Sequence, residues 1–128
     1  MKLVDTSSWI PFINPKFKSP RNKDLRELID KNEAVMCDYV RLELQGYKDS
    51  ENKIVRLLSE TLISLETNTQ VWDQAFGLAV KSRKRGLVIP NSDILIYAVA
   101  THHGCGIFHE DKHFDWLDEI TGQNIAER

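Results

Sequence analysis

Short apolar runs alternate with stretches of helical periodicity from one end of the chain to the other. The runs at residues 2–5, 33–37 and 105–108 have the size of single buried strands, and 62–66 is a weaker strand candidate. Between them, apolar residues recur three and four positions apart, as on one face of a helix. This alternation predicts an α/β fold with a parallel sheet that helices cover on both faces.

Local signals mark several helix boundaries. A Ser-Pro pair predicts a helix that Ser19 caps, with the proline at its first position. Asn91 or Ser92 is expected to cap the nearly wholly apolar helix that follows. Pro11 and Pro15 are expected to interrupt any long first helix. The polar C-terminal end is expected to fray.

Composition narrows the class of protein. A length of 128 residues, with 41% hydrophobic and 28% charged residues, fits one domain over 1–128 with a single core. No apolar run is long enough for a membrane span. The first residues carry no long apolar segment, so we expect no secretory signal. Cys37 and Cys105 lie far apart in apolar runs, as buried thiols do in a reducing cytosol, so we expect a cytoplasmic protein.

One segment resembles a zinc site. His109-Glu110-Asp111-Lys112-His113 satisfies the letters of the zinc-protease pattern H-E-x-x-H. That pattern needs both histidines on one helical face and a third ligand further along. Here a predicted strand directly precedes His109, and no histidine follows His113. We therefore expect His109 and His113 to be solvated loop histidines, and Asp111 to be the functional residue.

Four acidic residues have positions that suit a metal site. Asp5 and Asp111 follow the first and last predicted strands, where ligands of parallel sheets bind. Glu43 lies within a short helix, and Asp93 opens the apolar one. Taken singly, Asp93 is better explained as a carboxylate that stabilises the helix start, and Glu43 as a solvated helix residue. Together, clustered carboxylates repel one another unless a cation such as Mg²⁺ lies between them.

Hydroxyl side chains follow Asp5 directly. Thr6, Ser7 and Ser8 have two interpretations, either as caps of the first helix or as partners of a carboxylate or of a metal-bound water.

Four motifs in register resemble a PIN domain, and most of all the VapC-type toxins. They are "LVDTSSWI", "VRLELQG", "PNSDILIYAVA" and "IFHEDKHF", and the resemblance covers essentially the whole chain. It implies a doubly wound, mainly parallel sheet in an α/β/α sandwich. The chain departs from the family at His109 and Glu110, where the family usually has Thr or Asn-like residues.

The same resemblance assigns the chemistry. It implies that Asp5, Glu43, Asp93 and Asp111 form an acidic quartet that binds Mg²⁺, or Mn²⁺, and that Ser7 assists them. The implied reaction is metal-assisted hydrolysis of an RNA phosphodiester to 5′-phosphate and 3′-hydroxyl ends. The substrate that the resemblance implies is tRNA, the usual one in the family. The implied partners are a second copy of the chain, in a homodimer, and a cognate antitoxin.

RNA binding would need a local basic patch, because the net charge is −2. The densest basic run lies at the C-terminal end of a predicted helix. Cations there also interact favourably with the helix dipole, which is an alternative explanation for the run. Arg41 lies near Glu43 on the same predicted helix. The candidate RNA-binding residues are Arg41, Lys81, Arg83, Lys84 and Arg85.

Three other functions compete with that of the toxin. A stand-alone PIN nuclease for RNA processing has the same site. A catalytically inert RNA-binding PIN module is disfavoured because all four acidic positions are filled. A receiver-like signalling domain also places carboxylates around Mg²⁺, but no predicted strand leads into a suitable acceptor aspartate.

Overall fold

Strands and helices alternate along the residues that this computed structural model describes, which are 1–14, 16–47 and 53–127. Within that part of the chain there are five strands: β1 Lys2–Val4, β2 Ala34–Cys37, β3 Ser64–Leu65, β4 Gly106–Phe108 and β5 Ala126–Glu127. The helices are α1 Thr6–Ile13, α2 Asn22–Asp30, α3 Asp38–Gln45, α4 Lys53–Thr61, α5 Thr69–Lys84, α6 Asn91–His103 and α7 Lys112–Thr121.

The strands form one sheet in the order β3-β2-β1-β4-β5, and every neighbouring pair is parallel. Strand β1 is central, with Lys2 opposite Ala34 of β2 on one side and Gly106 of β4 on the other. The chain builds the sheet outward from β1 to β3 and then returns to β4. The strand order therefore reverses between β1 and β4, where sheets of this kind leave a crevice beyond their carboxyl ends.

Helices cover both faces of this sheet. All residues of β2 are buried, and so are all residues of β1 and β4 after the first. Neighbouring side chains of a strand point to opposite faces of the sheet, so both faces are covered. Helix α6 is buried from Asp93 through Ala100, as its apolar composition requires. Trp9 is fully buried and packs edge to face with Phe12. The predicted α/β/α sandwich is confirmed.

Two features of the N-terminal half differ from the sequence expectation. Helix α2 begins at Asn22, because the Ser19 hydroxyl accepts from the backbone N–H of Arg21 and closes a turn before the helix. Pro11 lies inside α1, which continues to Ile13, so it does not end the helix. The expectation for Pro15 lies outside the described residues.

Two further boundaries also differ. The cap position of α6 is Pro90, without a side-chain hydrogen bond, so neither Asn91 nor Ser92 caps it. The C-terminal segment pairs with β4 as β5 and does not fray at Ala126.

Cys37 and Cys105 are buried free thiols, as predicted. Among the described helices, none has the length and apolarity to cross a membrane.

Candidate active site

Asp5 lies at the crevice between β1 and β4. Its backbone N–H donates to the carbonyl of Phe108 at 2.9 Å, which continues the pairing of the two strands. Its carboxylate caps α1 by accepting from the backbone N–H of Ser7 at 3.0 Å. Only 4% of Asp5 is exposed. The aspartate is therefore both the helix cap and a buried carboxylate at the carboxyl edge of the sheet.

Glu43 reaches the same edge from α3. Its Oε1 accepts a 2.9 Å hydrogen bond from the hydroxyl of Thr6, the first residue of α1. The side chain is partly buried, so the interpretation of Glu43 as a freely solvated helix residue is wrong. Thr6 acts here as the partner of a carboxylate, one of its two predicted roles.

Asp93 and Asp111 approach from the other side of the crevice. Asp93 lies in the first turn of α6 and is 6% exposed. Asp111 caps α7 by accepting from the backbone N–H of His113 at 3.0 Å. The His113 Nδ1 atom lies 2.8 Å from Asp111 Oδ1 and 3.1 Å from Asp93 Oδ2. The imidazole thus touches both carboxylates.

The four carboxylates influence one another electrostatically. Burial, a hydrogen bond with Asp111 and the charges of Asp111, Asp5 and Glu43 raise the pKa of Asp93 to about 8. Burial and the charge of Asp111 raise the pKa of Asp5, against hydrogen bonds from Ser7 that lower it. Burial and the charge of Asp5 raise the pKa of Glu43, although the hydrogen bond from the Thr6 hydroxyl lowers it. The structure therefore brings the four predicted acidic residues together.

The arrangement suits a cation. One ligand atom from each of Asp93, Asp111 and His113 lies within 4.8 Å of the other two. Carboxylates whose pKa values are raised by mutual repulsion bind a divalent cation favourably, because its charge removes that repulsion. Carboxylate oxygens are the donors that Mg²⁺ and Mn²⁺ prefer.

The sequence profile of the PIN domain matches residues 2–120. This chain belongs to the PIN domain family. Ribonuclease VapC11 of Mycobacterium tuberculosis is 28% identical over 132 residues, with 98% of each chain covered. The resemblance drawn from the four motifs is confirmed, and with it the prediction that the chain is a hydrolytic nuclease.

Solved structures show the same fold at low identity. The VapBC-1 structure from nontypeable Haemophilus influenzae matches with a TM-score of 0.72 and 24% identity, over 96% of this chain and 94% of the other. The structure of Mycobacterium tuberculosis VapC20, described as a Sarcin-Ricin loop cleaving toxin, matches with a TM-score of 0.69 and 18% identity, over 100% of both chains.

The histidines of this PIN domain differ from the sequence expectation. His109 follows β4 and is fully buried, and His113 is partly buried between two carboxylates, so neither is a solvated loop histidine. The His109 Nδ1 atom accepts from the backbone N–H of Asp111 at 3.0 Å, which leaves the proton on Nε2, 3.7 Å from Asp115. His109 thus fixes the backbone of Asp111. Its position before α7 also excludes the two-histidine helical face of a zinc protease.

Ser7 connects the two sides of the crevice. Its hydroxyl oxygen accepts from the backbone N–H of Glu110 at 3.0 Å, and its side chain hydrogen-bonds Asp5. The Glu110 carboxylate is exposed and accepts from the Ser19 hydroxyl at 2.8 Å. Glu110 is therefore held away from the four carboxylates by a partner of its own.

The predicted RNA-binding residues lie in two places. Arg41 donates to the carbonyl of Ser59 at 2.9 Å and so ties α3 to α4. The other four predicted residues, Lys81, Arg83, Lys84 and Arg85, are exposed at the C-terminal end of α5. Arg41 thus has a structural contact, whereas the basic run at the end of α5 is free to meet solvent or a polyanion.

Proposed function

We propose that this chain is a Mg²⁺- or Mn²⁺-dependent endoribonuclease and the toxin of a VapBC-type toxin–antitoxin pair. The observation that carries the proposal is the convergence of Asp5, Glu43, Asp93 and Asp111 on one crevice, where burial and mutual repulsion raise the pKa of Asp5, Glu43 and Asp93. Similarity to proteins named as VapC ribonucleases supports RNA as the substrate. Similarity to a VapBC structure supports an antitoxin partner.

The cation-binding residues in this proposal are the same four carboxylates. A bound divalent cation lowers the pKa of water and neutralises charge on the scissile phosphate. The protein's own contribution is to hold the donors rigidly. Asp5 is fixed by its hydrogen bonds from Ser7, and Glu43 by its hydrogen bond from Thr6. Donors on helix starts and strand ends are positioned more accurately than donors on loops.

The proposed reaction is hydrolysis at phosphorus. A water oxygen forms a bond to phosphorus, the bond to the 3′-oxygen breaks, and that oxygen leaves as a 3′-hydroxyl after taking a proton. The other product ends in a 5′-phosphate. No covalent bond to the protein is required, because no step needs a side-chain nucleophile.

In the proposal, substrate contacts come from the exposed basic run of α5. Lys81, Arg83, Lys84 and Arg85 supply positive charge to a protein whose net charge is −2. Single-stranded or looped RNA, including tRNA, is the substrate class. We also propose that the chain forms a homodimer.

Cleavage of RNA by the purified protein tests this function. We expect Mg²⁺ or Mn²⁺ to support endonucleolytic cuts that carry 5′-phosphates, and EDTA to abolish them. Sequencing of 5′-phosphate ends after induced expression identifies the target. Glu60→Gln, an exposed carboxylate on α4, serves as the matched control and should cut normally. Cleavage that persists in EDTA, or fragments with 2′,3′-cyclic phosphates, contradicts the mechanism.

A second experiment separates the toxin from a stand-alone processing nuclease. Induced expression of the chain should arrest growth, and co-expression of the protein encoded beside its gene should restore growth. A nuclease of RNA processing would leave growth unaffected and would need no such neighbour.

A further inference from the structure

We propose that His113 is a nitrogen ligand of the cation at this site, and that this PIN domain consequently prefers Mn²⁺ to Mg²⁺. The inference rests on the proposed function, because it requires a cation at the carboxylates. It concerns a residue outside the acidic quartet, in the first turn of α7.

The distances around His113 fit adjacent ligands of one ion. Its Nδ1 atom is 2.8 Å from Asp111 Oδ1 and 3.1 Å from Asp93 Oδ2. An octahedral cation with ligands about 2.1 Å away keeps neighbouring ligands about 3 Å apart. Both measured distances match that spacing, and one ligand atom of each residue lies within 4.8 Å of the other two.

Two of these atoms are buried without a proper hydrogen bond. Within the described residues, His113 Nδ1 and Asp93 Oδ2 are inaccessible to solvent and have no hydrogen-bond partner of acceptable geometry, although His113 Nδ1 lies 3.1 Å from Asp93 Oδ2 and 2.8 Å from Asp111 Oδ1. Buried polar atoms normally have partners, and such exceptions mark functional sites or bound ions. A cation held between the two atoms would give each of them a partner.

The imidazole is held in place before any ion arrives. Asp111 accepts from the backbone N–H of His113, and the Trp116 ring stands edge to face with the imidazole at 5.1 Å between centroids. Fixed ligands lose little freedom on binding, which strengthens the interaction. His113 therefore has the position and the rigidity of a metal ligand.

Ligand chemistry then sets the preference between metals. Mg²⁺ prefers oxygen donors and retains its waters, whereas imidazole nitrogen suits transition-metal cations. An imidazole nitrogen beside the carboxylate oxygens therefore favours Mn²⁺, a transition-metal cation, over Mg²⁺. Asp93 and Asp111 keep the site acceptable to either ion.

Metal binding to the metal-free protein tests the inference without any measurement of activity. Isothermal titration calorimetry should show tighter binding of Mn²⁺ than of Mg²⁺. In His113→Phe, Mn²⁺ affinity should fall about 10- to 100-fold, while Mg²⁺ affinity changes much less. His103→Phe is the matched control, because His103 is also partly buried but lies at the far end of α6. It should bind both ions as the unmodified protein does.

Pulsed electron paramagnetic resonance gives a direct readout. Bound Mn²⁺ should show coupling to a histidine nitrogen, the coupling should change when histidine is labelled with ¹⁵N, and it should vanish in His113→Phe. The labelling experiment uses the unmodified protein, so it stands even if the variant fails to fold. Mn²⁺ bound without nitrogen coupling, or with coupling that survives in His113→Phe, overturns the inference and leaves the proposed function intact. Absence of any divalent-cation binding overturns the proposed function as well.

Discussion

Asp93 is 6% exposed, and its carboxylate lies among three other acidic groups. Its pKa is raised to about 8 from an ordinary value of 3.8, chiefly by burial and by Asp111. The folded state therefore holds the proton of Asp93 more tightly than the unfolded chain does. A group of this kind stabilises the fold below pH 3.8 and loses that contribution as pH rises through about 8.

Thermal unfolding of the metal-free protein should reveal this linkage. We expect the melting temperature to fall as pH rises from 5 to 8.5, and Asp93→Asn to flatten much of that fall, because the amide does not ionise. Added Mn²⁺ or Mg²⁺ should raise the melting temperature more at pH 8.5 than at pH 5. An equal pH dependence in Asp93→Asn and the unmodified protein would show that Asp93 is not the group responsible.

Thr6 and Glu43 give a second prediction at the level of single residues. Thr6→Val removes the hydroxyl that donates to Glu43, so the carboxylate loses a bond that lowers its pKa. We expect a several-fold weaker cation affinity by calorimetry and a loss of about 1 kcal/mol in the free energy of unfolding. Thr6→Ser keeps the hydroxyl and should behave nearly as the unmodified protein. Identical cation affinity in Thr6→Val would contradict this role.

Sequence reasoning reached the acidic residues of the site but not its histidines. Asp5 and Asp111 were predictable because they follow strands, and Asp93 because it opens an apolar helix. His113 was missed, since its contact with Asp93 depends on Asp111 capping α7. The available sequence signal for His113 was a carboxylate two residues before it at a helix start. Because that pattern is common, it does not identify a metal-binding histidine.

At the level of elements, hydrogen bonds to a side chain of α7 hold β5 in place. Asp118 of α7 accepts from the backbone N–H groups of Ile125 and Ala126, at 3.2 and 2.9 Å, and from the Tyr97 hydroxyl at 2.7 Å. Those bonds hold the C-terminal segment beside β4. Burial also raises the pKa of Tyr97, so its hydroxyl stays a donor.

Asp118→Ala should therefore release β5. We expect a loss of about 2–3 kcal/mol in the free energy of unfolding, because buried donors are left without an acceptor. Hydrogen exchange of Ile125 and Ala126 should accelerate. Glu119→Gln, at an exposed neighbouring position, should change neither quantity. Unchanged exchange at Ile125 and Ala126 in Asp118→Ala would mean that strand pairing alone holds β5.

The elements that sequence patterns missed are those set by distant partners. Strands β1, β2 and β4 are marked by their own apolar runs. Strand β5 is only two residues long and is positioned by Asp118, so a polar C-terminal sequence gives no sign of it. The start of α2 differs for a local reason, because the Ser19 hydroxyl closes a turn with Arg21 where a helix cap was expected.

At the scale of the whole molecule, strand order creates the site. Because β1 and β4 are neighbours, residues separated by about 100 positions in the sequence meet at one crevice, with Asp5 bonded to Phe108. Sequence alternation predicts a parallel sheet but does not determine its strand order. The resemblance to PIN domains implied a doubly wound sheet, and the matching solved structures share this fold.

Concentrating four carboxylates in one crevice costs stability in a protein without cations, and a bound cation would offset that cost. The most direct test measures RNA cleavage and metal-free thermal unfolding together in Asp5→Asn and Asp93→Asn. The account predicts that cleavage falls at least ~100-fold in each variant, while the melting temperature at pH 8 is unchanged or higher. Full cleavage in either variant would contradict it.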